Sequence, residues 1–220
     1  MPLRFFAMLL PPLAMNLLAL GTGLARRERL DRPAKGLLVY LLLCLLNTLA
    51  MTALAWSRGN NWVLVHLFAP LQLALFAWIY SAWTPAWLSR GFHVLALAYA
   101  LACLWLLPRE DLSRISGFSF QVQTLLLMGF SLALLCQLAL QVEVPLLEHP
   151  GAWIASGVLC DTAFTLVAYP SRSWLQLHAP SWVIVLSLAR VLVVTLSYLF
   201  FLRALRLGSA ARAAELTPTC

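Results

Sequence analysis

Two ionisable residues lie deep inside long apolar runs. Asp161 is at the middle of the run Ala152 to Tyr169, and Arg190 is within two residues of the middle of the run Trp182 to Leu202. A charge at the bilayer centre is disfavoured by about 2.5 to 3.5 kcal/mol even on the most lenient insertion scale, so each needs a partner or a wet cavity. As consecutive, antiparallel helices the two runs put both residues at one depth, which makes an ion pair available. Such a pair could do two kinds of work. It could lock two helices together, since polar groups between spans also act as packing glue. It could also form the charged floor of a binding cavity, or gate an ion or proton path.

Other polar side chains fall near the same depth. Ser187 and Ser197 share a helical face with Arg190, and Thr165 lies one turn from Asp161, so the polar atoms form stripes directed at the bundle interior. Asn47 and Gln72 fall near mid-depth in their own runs, while His66 and Gln123 lie nearer one face. Together with Asp161 and Arg190 these four are the candidate ligand or ion-path residues. His66 and Gln72 are six residues apart, about 240° around a helix, so both face one cavity only if Pro70 kinks or rewinds the helix. For His66 alone the favoured reading is an interhelical hydrogen bond. His93, His149 and His178 fall at run ends or in loops and read as interfacial.

Several chemistries lack their residues. No Lys lies in an apolar run, so no retinal Schiff base can form. Haem between helices wants paired axial histidines, and only His66 is embedded. There is no H-E-x-x-H and no intramembrane carboxylate pair to hold a metal. Ser116-Gly117 with His66 meets the needs of an intramembrane serine protease only in the loosest sense. The Pro-Gln dipeptide of small sugar transporters is interrupted at Pro70-Leu71-Gln72, and the first and last three runs show no repeat. Cys44, Cys103, Cys136 and Cys160 form no C-x-x-C and read as small hydrophobes, and Cys220 is too close to the end for a prenylation box. Nothing calls for a cofactor or a metal, and an enzyme would lack its cluster of acids.

The elements that must position these residues are transmembrane helices. With 62% of residues hydrophobic and 10% charged, the chain has too little polar surface to cover a soluble globule. Windows of about 20 apolar residues, the length that crosses a bilayer core, occur at Phe5 to Leu24, Gly36 to Trp56, Trp62 to Trp83, Gly91 to Leu107, Gly117 to Gln141, Ala152 to Tyr169 and Trp182 to Leu202. The expected fold is therefore an all-α, polytopic bundle of seven spans in a single domain, with residues 207–220 as a short cytoplasmic tail. The first run carries Pro11-Pro12 and starts like a signal peptide, but Arg26-Arg27-Glu28-Arg29 follows it as a stop-transfer pattern; if it fails as a span, six remain.

The net charge of +7 does not point to nucleic acid, because the basic residues separate apolar runs instead of building a face. Arg26, Arg27, Arg29, Arg32, Lys35, Arg90, Arg203, Arg206 and Arg212 fall on one side of the membrane, and Arg4, Arg58, Arg109, Arg114 and Arg172 on the other. The positive-inside rule then puts the N-terminus outside and the C-terminus in the cytoplasm. Trp56, Trp62, Trp83, Trp87, Trp105, Trp153, Trp174 and Trp182 lie near run ends, as an interfacial belt requires.

The segment Asn61-Trp62-Val63-Leu64-Val65-His66-Leu67-Phe68-Ala69-Pro70-Leu71-Gln72 and the segment Glu148-His149-Pro150-Gly151-Ala152-Trp153-Ile154 resemble a family of small, uncharacterised bacterial seven-helix membrane proteins of Bacteroidetes type. The resemblance implies an Asn before the third span, a His within it and an acidic residue one or two turns later, where this chain has Gln72. It implies a bacterial inner-membrane location and no particular activity. Two readings follow from the residues. One is a sensory or accessory module that binds a small ligand or a partner helix from the outer half. The other is a small-solute or proton-coupled transporter or channel with Asp161 and Arg190 as its gate pair.

Overall fold

The computed structural model describes residues 3–57, 62–106, 117–140 and 145–216. Seven α-helices run through them: α1 Leu3–Ala25, α2 Arg32–Trp56, α3 Trp62–Tyr80, α4 Ala86–Leu106, α5 Gly117–Leu140, α6 Pro150–His178 and α7 Pro180–Leu216. Single 3-10 turns, Arg27–Arg29 and Leu146–Glu148, precede α2 and α6, and no strand occurs among the described residues.

Local chemistry sets the helix starts. Asp31 caps α2, its carboxylate accepting the Ala34 N–H at 2.9 Å, with Pro33 in the first turn. His149 caps α6 in the same manner, its Nδ1 accepting the Gly151 N–H at 3.1 Å, with Pro150 in the first turn. Burial holds the His149 imidazole below its ordinary value of 6.5, and the Trp83 ring meets it edge to face at 5.5 Å.

Six helices are long and apolar enough to cross a membrane: α1, α2, α4, α5, α6 and α7. The chain is thus a multi-pass membrane protein. The expected count of seven differs at α3, whose apolar stretch Leu64–Tyr80 is shorter. Seventeen residues at 1.5 Å rise span about 26 Å, a little under the hydrocarbon core. The sequence had placed its weakness in α1, yet α1 stays helical through Pro11 and Pro12 and qualifies by length.

The other ends shift for physical reasons. Instead of reaching Trp83, α3 stops at Tyr80, because a turn through Thr84 and Pro85 follows and α4 starts at Ala86, five residues before the expected Gly91. Helix α6 continues through Pro170 to His178, and α7 continues past Arg203 and Arg206 to Leu216. Charges end a membrane span without ending a helix. Arg58, Arg109, Arg114, Ser116 and Cys220 lie outside the described residues.

The helices close a ring. Helix α1 packs on α2 and α7, α2 on α3, α3 on α5, α5 on α6 and α6 on α7, while α4 lies against α3 and α5. Close approach between α6 and α7 depends on Gly157, where a Cβ would come within 2.8 Å of the Phe201 ring and 3.2 Å of the Ser197 carbonyl oxygen.

Packing divides the ring in depth. The end of α1, the start of α2, the end of α3, the starts of α4 and α6 and the later part of α5 and α7 meet in an apolar core. Leu30, Leu37, Leu41, Leu73, Phe76, Ile79, Leu134, Ala155 and Leu205 are essentially inaccessible there. Tyr80 and Ser131 satisfy each other inside that core at 2.9 Å. The basic residues Arg26, Arg27, Arg29, Arg32, Arg203 and Arg206 collect at this solid end. Arg26 donates to Ser209 Oγ at 3.0 Å, Arg32 lies over the Trp78 ring and Arg203 over the Trp153 ring. The opposite half, which holds the N-terminal part of α1, is hollow beside α7, although Tyr99, Ser119, Thr124 and Ala168 are buried there. Along α7 no residue from 180 to 196 is buried, whereas Ser197, Phe201, Leu202, Ala204 and Leu205 are.

Candidate functional site

Asp161 and Arg190 sit where the solid and hollow halves meet. Arg190 Nη1 lies 2.9 Å from Asp161 Oδ1, and the two side chains are 35% and 28% exposed respectively. The contact is an ion pair without the alignment of a hydrogen bond, because the same Nη1 also bonds Thr165 Oγ1 and reaches the Asp161 carbonyl oxygen at 3.5 Å. Thr165, one turn after Asp161, thereby ties the guanidinium to α6. Charges so paired carry no net charge into the bilayer, and their partial exposure shows that they border open space instead of filling a core.

That space is a cavity of about 350 Å³ enclosed by α2, α3, α5, α6 and α7. Asn47, Gln72, Gln123, Asp161 and Arg190 all line it. A hydrogen-bonded chain crosses it: Gln123 Nε2 donates to Gln72 Oε1 at 2.9 Å, and Gln72 Nε2 donates to Tyr40 Oη at 3.1 Å. Three helices are joined this way by groups that lipid could not solvate. Asn47 turns its amide to Met51 Sδ at 3.6 Å. The floor toward the solid core is aromatic, with Tyr40 against Phe76 at 4.7 Å, Phe201 at 5.9 Å and Phe68 at 6.5 Å.

His66 is not among the residues that line this space. The 240° that separates it from Gln72 is kept, since α3 runs through Pro70 without rewinding. Five of the six sequence candidates therefore meet at one cavity and His66 does not.

A second space, about 460 Å³, adjoins the first on the hollow side. It is a groove over the unburied arm of α7, walled by Met8, Leu9 and Leu13 of α1 and by Phe164, Ala168 and Arg172 of α6. Helices α1 and α6 both pack on α7 and not appreciably on each other, which leaves the groove facing lipid. Thr48, Tyr169, Arg190, Val194 and Tyr198 border both spaces, so Arg190 stands at their junction.

Sequence reasoning overlooked Asn16, Tyr40 and Tyr198. Asn16 is 3% exposed and donates from Nδ2 to Tyr198 Oη at 3.1 Å. The available signal was a lone amide in an otherwise apolar first span; Tyr40 and Tyr198 each lie four residues inside a run end, where a phenol reads as an interfacial aromatic. Among the described residues no group of three or more metal-ligating side chains occurs.

No protein-family model, no curated protein and no solved structure matches this chain. Its fold and its site rest on its own residues.

Proposed function

We propose that this protein is a seven-span sensory or accessory module that binds a small ligand inside the bundle from the half that holds its N-terminus. The observation that carries the reading is the position of Arg190, ion-paired with Asp161 at 2.9 Å and facing two adjoining cavities that end blindly on an apolar core. A pore would need a second opening, and the solid half supplies none among the described residues. In this reading α3 is a short seventh span held inside the bundle by its neighbours. The basic solid end is cytoplasmic by the positive-inside rule, so the cavities face outward. The segments around His66 and His149 support a place among small bacterial seven-helix proteins of the inner membrane.

Helix α7 connects the two ends. It borders both cavities through Arg190 and runs on to Leu216 without a break, so a ligand that displaces Arg190 biases the position of its cytoplasmic end. The reading is tested with purified protein in nanodiscs, by measuring the melting temperature against a panel of water-soluble and lipidic small molecules. A ligand should raise the melting temperature of the natural protein and leave Arg190→Gln unmoved. If no member of either set stabilises the natural protein, the binding reading fails.

The alternative is a transporter caught with one side closed, using Asp161 and Arg190 as its gate. The adjacency of the pair to open space supports it. Uptake of the stabilising ligand into proteoliposomes, lost in Asp161→Asn, would favour transport over sensing.

A further inference from the structure

On the reading that these cavities bind a ligand, the way Asp161 and Arg190 meet narrows what that ligand is. Every contact of the guanidinium falls on Nη1, which faces Asp161 Oδ1 at 2.9 Å, Thr165 Oγ1 and the Asp161 carbonyl oxygen. Nη2 and Nε, which form the second edge of the fork, have no partner among the described residues. That edge is the one able to hold a carboxylate through two parallel hydrogen bonds. On the acidic side Oδ1 is enclosed, yet 28% of the Asp161 side chain is exposed, so its accessible oxygen is Oδ2. A two-pronged donor and a charged acceptor are therefore left over side by side.

Both residues line the cavity of about 350 Å³, and no other charged side chain does; Arg172 belongs to the adjoining groove. The cavity's own charge is thus zero, which penalises a ligand of either sign. An anion would compete with Asp161 for the guanidinium, and a cation would be repelled by it. A ligand that carries both charges close together avoids this. Its anionic group takes Nη2 and Nε, its cationic group takes Oδ2, and four charges alternate in sign around one ring without the existing pair opening. A neutral amide could bridge the same atoms, but its bonds would lack charge on the ligand's side. The rest of the lining suits an aromatic ring. Phe68, Phe120 and Tyr169 are only half-buried, and Phe120 packs on Tyr169 at 4.7 Å, about two turns outward of Asp161. The volume is at the small end for ligand pockets. We infer that the cavity binds an α-amino acid with an aromatic side chain, its carboxylate on Arg190 and its ammonium on Asp161.

The test separates the charges. Titration calorimetry on the full-length protein in nanodiscs compares L-phenylalanine with 2-phenylethylamine, which keeps only the ammonium, 3-phenylpropionate, which keeps only the carboxylate, and 3-phenylpropionamide, which keeps neither. The amino acid should bind at least about ten-fold more tightly than each of the three. L-alanine, with both charges and no ring, should also bind at least about ten-fold more weakly than L-phenylalanine. The variants should reorder the series. Asp161→Asn should prefer 3-phenylpropionate and Arg190→Gln should prefer 2-phenylethylamine, an exchange that a merely structural pair would not produce. If a variant does not fold, the series on the natural protein still decides. Binding of a singly charged or neutral analogue as tightly as the amino acid would overturn the inference. If none of the series binds while another small molecule raises the melting temperature through Arg190, the inference is wrong and the binding reading stands. If nothing binds, both fall.

Discussion

Asp161 and Arg190 neutralise each other at the level where apolar packing gives way to open space, and the arithmetic of breaking them differs from that of a fully enclosed pair. Removing one partner of an enclosed pair strands a charge and typically destabilises by about 3 to 5 kcal/mol. Each side chain here keeps roughly a third of its surface accessible, so the loss should be smaller, about 1 to 3 kcal/mol for Asp161→Asn or for Arg190→Gln. The exchange variant, Arg at 161 with Asp at 190, should recover part of that loss in a thermal or denaturant melt. Recovery of stability without recovery of ligand binding would assign the pair to packing alone. His149 gives a pH test at the opposite end. Its folded-state value lies below 6.5 while the unfolded value stays ordinary, so its contribution is present above about pH 6.5 and is lost as pH falls through that value. Protonation also removes the lone pair that receives the Gly151 N–H. Melting temperatures measured from pH 8 to pH 5 should fall more steeply for the natural protein than for His149→Asn, which caps without titrating.

Among the elements, the α6 and α7 pair is the most constrained. Gly157→Ala would press a methyl group into the buried Phe201 ring and the Ser197 carbonyl, just on the core side of Asp161. Overpacking of this sort costs about 1 to 3 kcal/mol. Gly157→Ala combined with Phe201→Leu should regain part of it, and an unchanged melting temperature in the single variant would refute the tight crossing. The same scale shows what the sequence could and could not disclose. Depth was legible for the charges, because hydrocarbon obliges them to seek one another and antiparallel counting put Asp161 opposite Arg190; it set Gln123 nearer one face than Gln72, yet the two amides meet at 2.9 Å. Rotation was legible for His66, whose angle from Gln72 kept it out of the cavity. Helix ends were not, since Arg203, Arg206 and Pro170 mark where apolar character stops and α6 and α7 continue regardless. Asn16, Tyr40 and Tyr198 were also missed, because one amide or phenol in an apolar run names no partner until the helices are placed.

At the scale of the whole molecule, one end is a close-packed apolar core and the other is hollow. Local opening should follow that division. In hydrogen exchange in nanodiscs, amides of residues 73–80, 134–138 and 201–205 should be the slowest, while 183–193 of α7 should exchange faster despite lying in the same continuous helix. Uniform protection along α7 would contradict the division.

The unbroken length of α7 then has a mechanical meaning. Its crossing over Gly157 at Phe201 acts as a fulcrum with unequal arms: at 1.5 Å per residue, about 32 Å of helix lies on the hollow side and about 22 Å on the other. A tilt of about 5° would swing the end near Trp182, which the turn at Ala179 joins to α6, by roughly 3 Å and the far end by roughly 2 Å in the opposite direction. The Arg190 contacts with Asp161 and Thr165 are what hold the longer arm to α6, so a change at that pair would act on the long side of a lever.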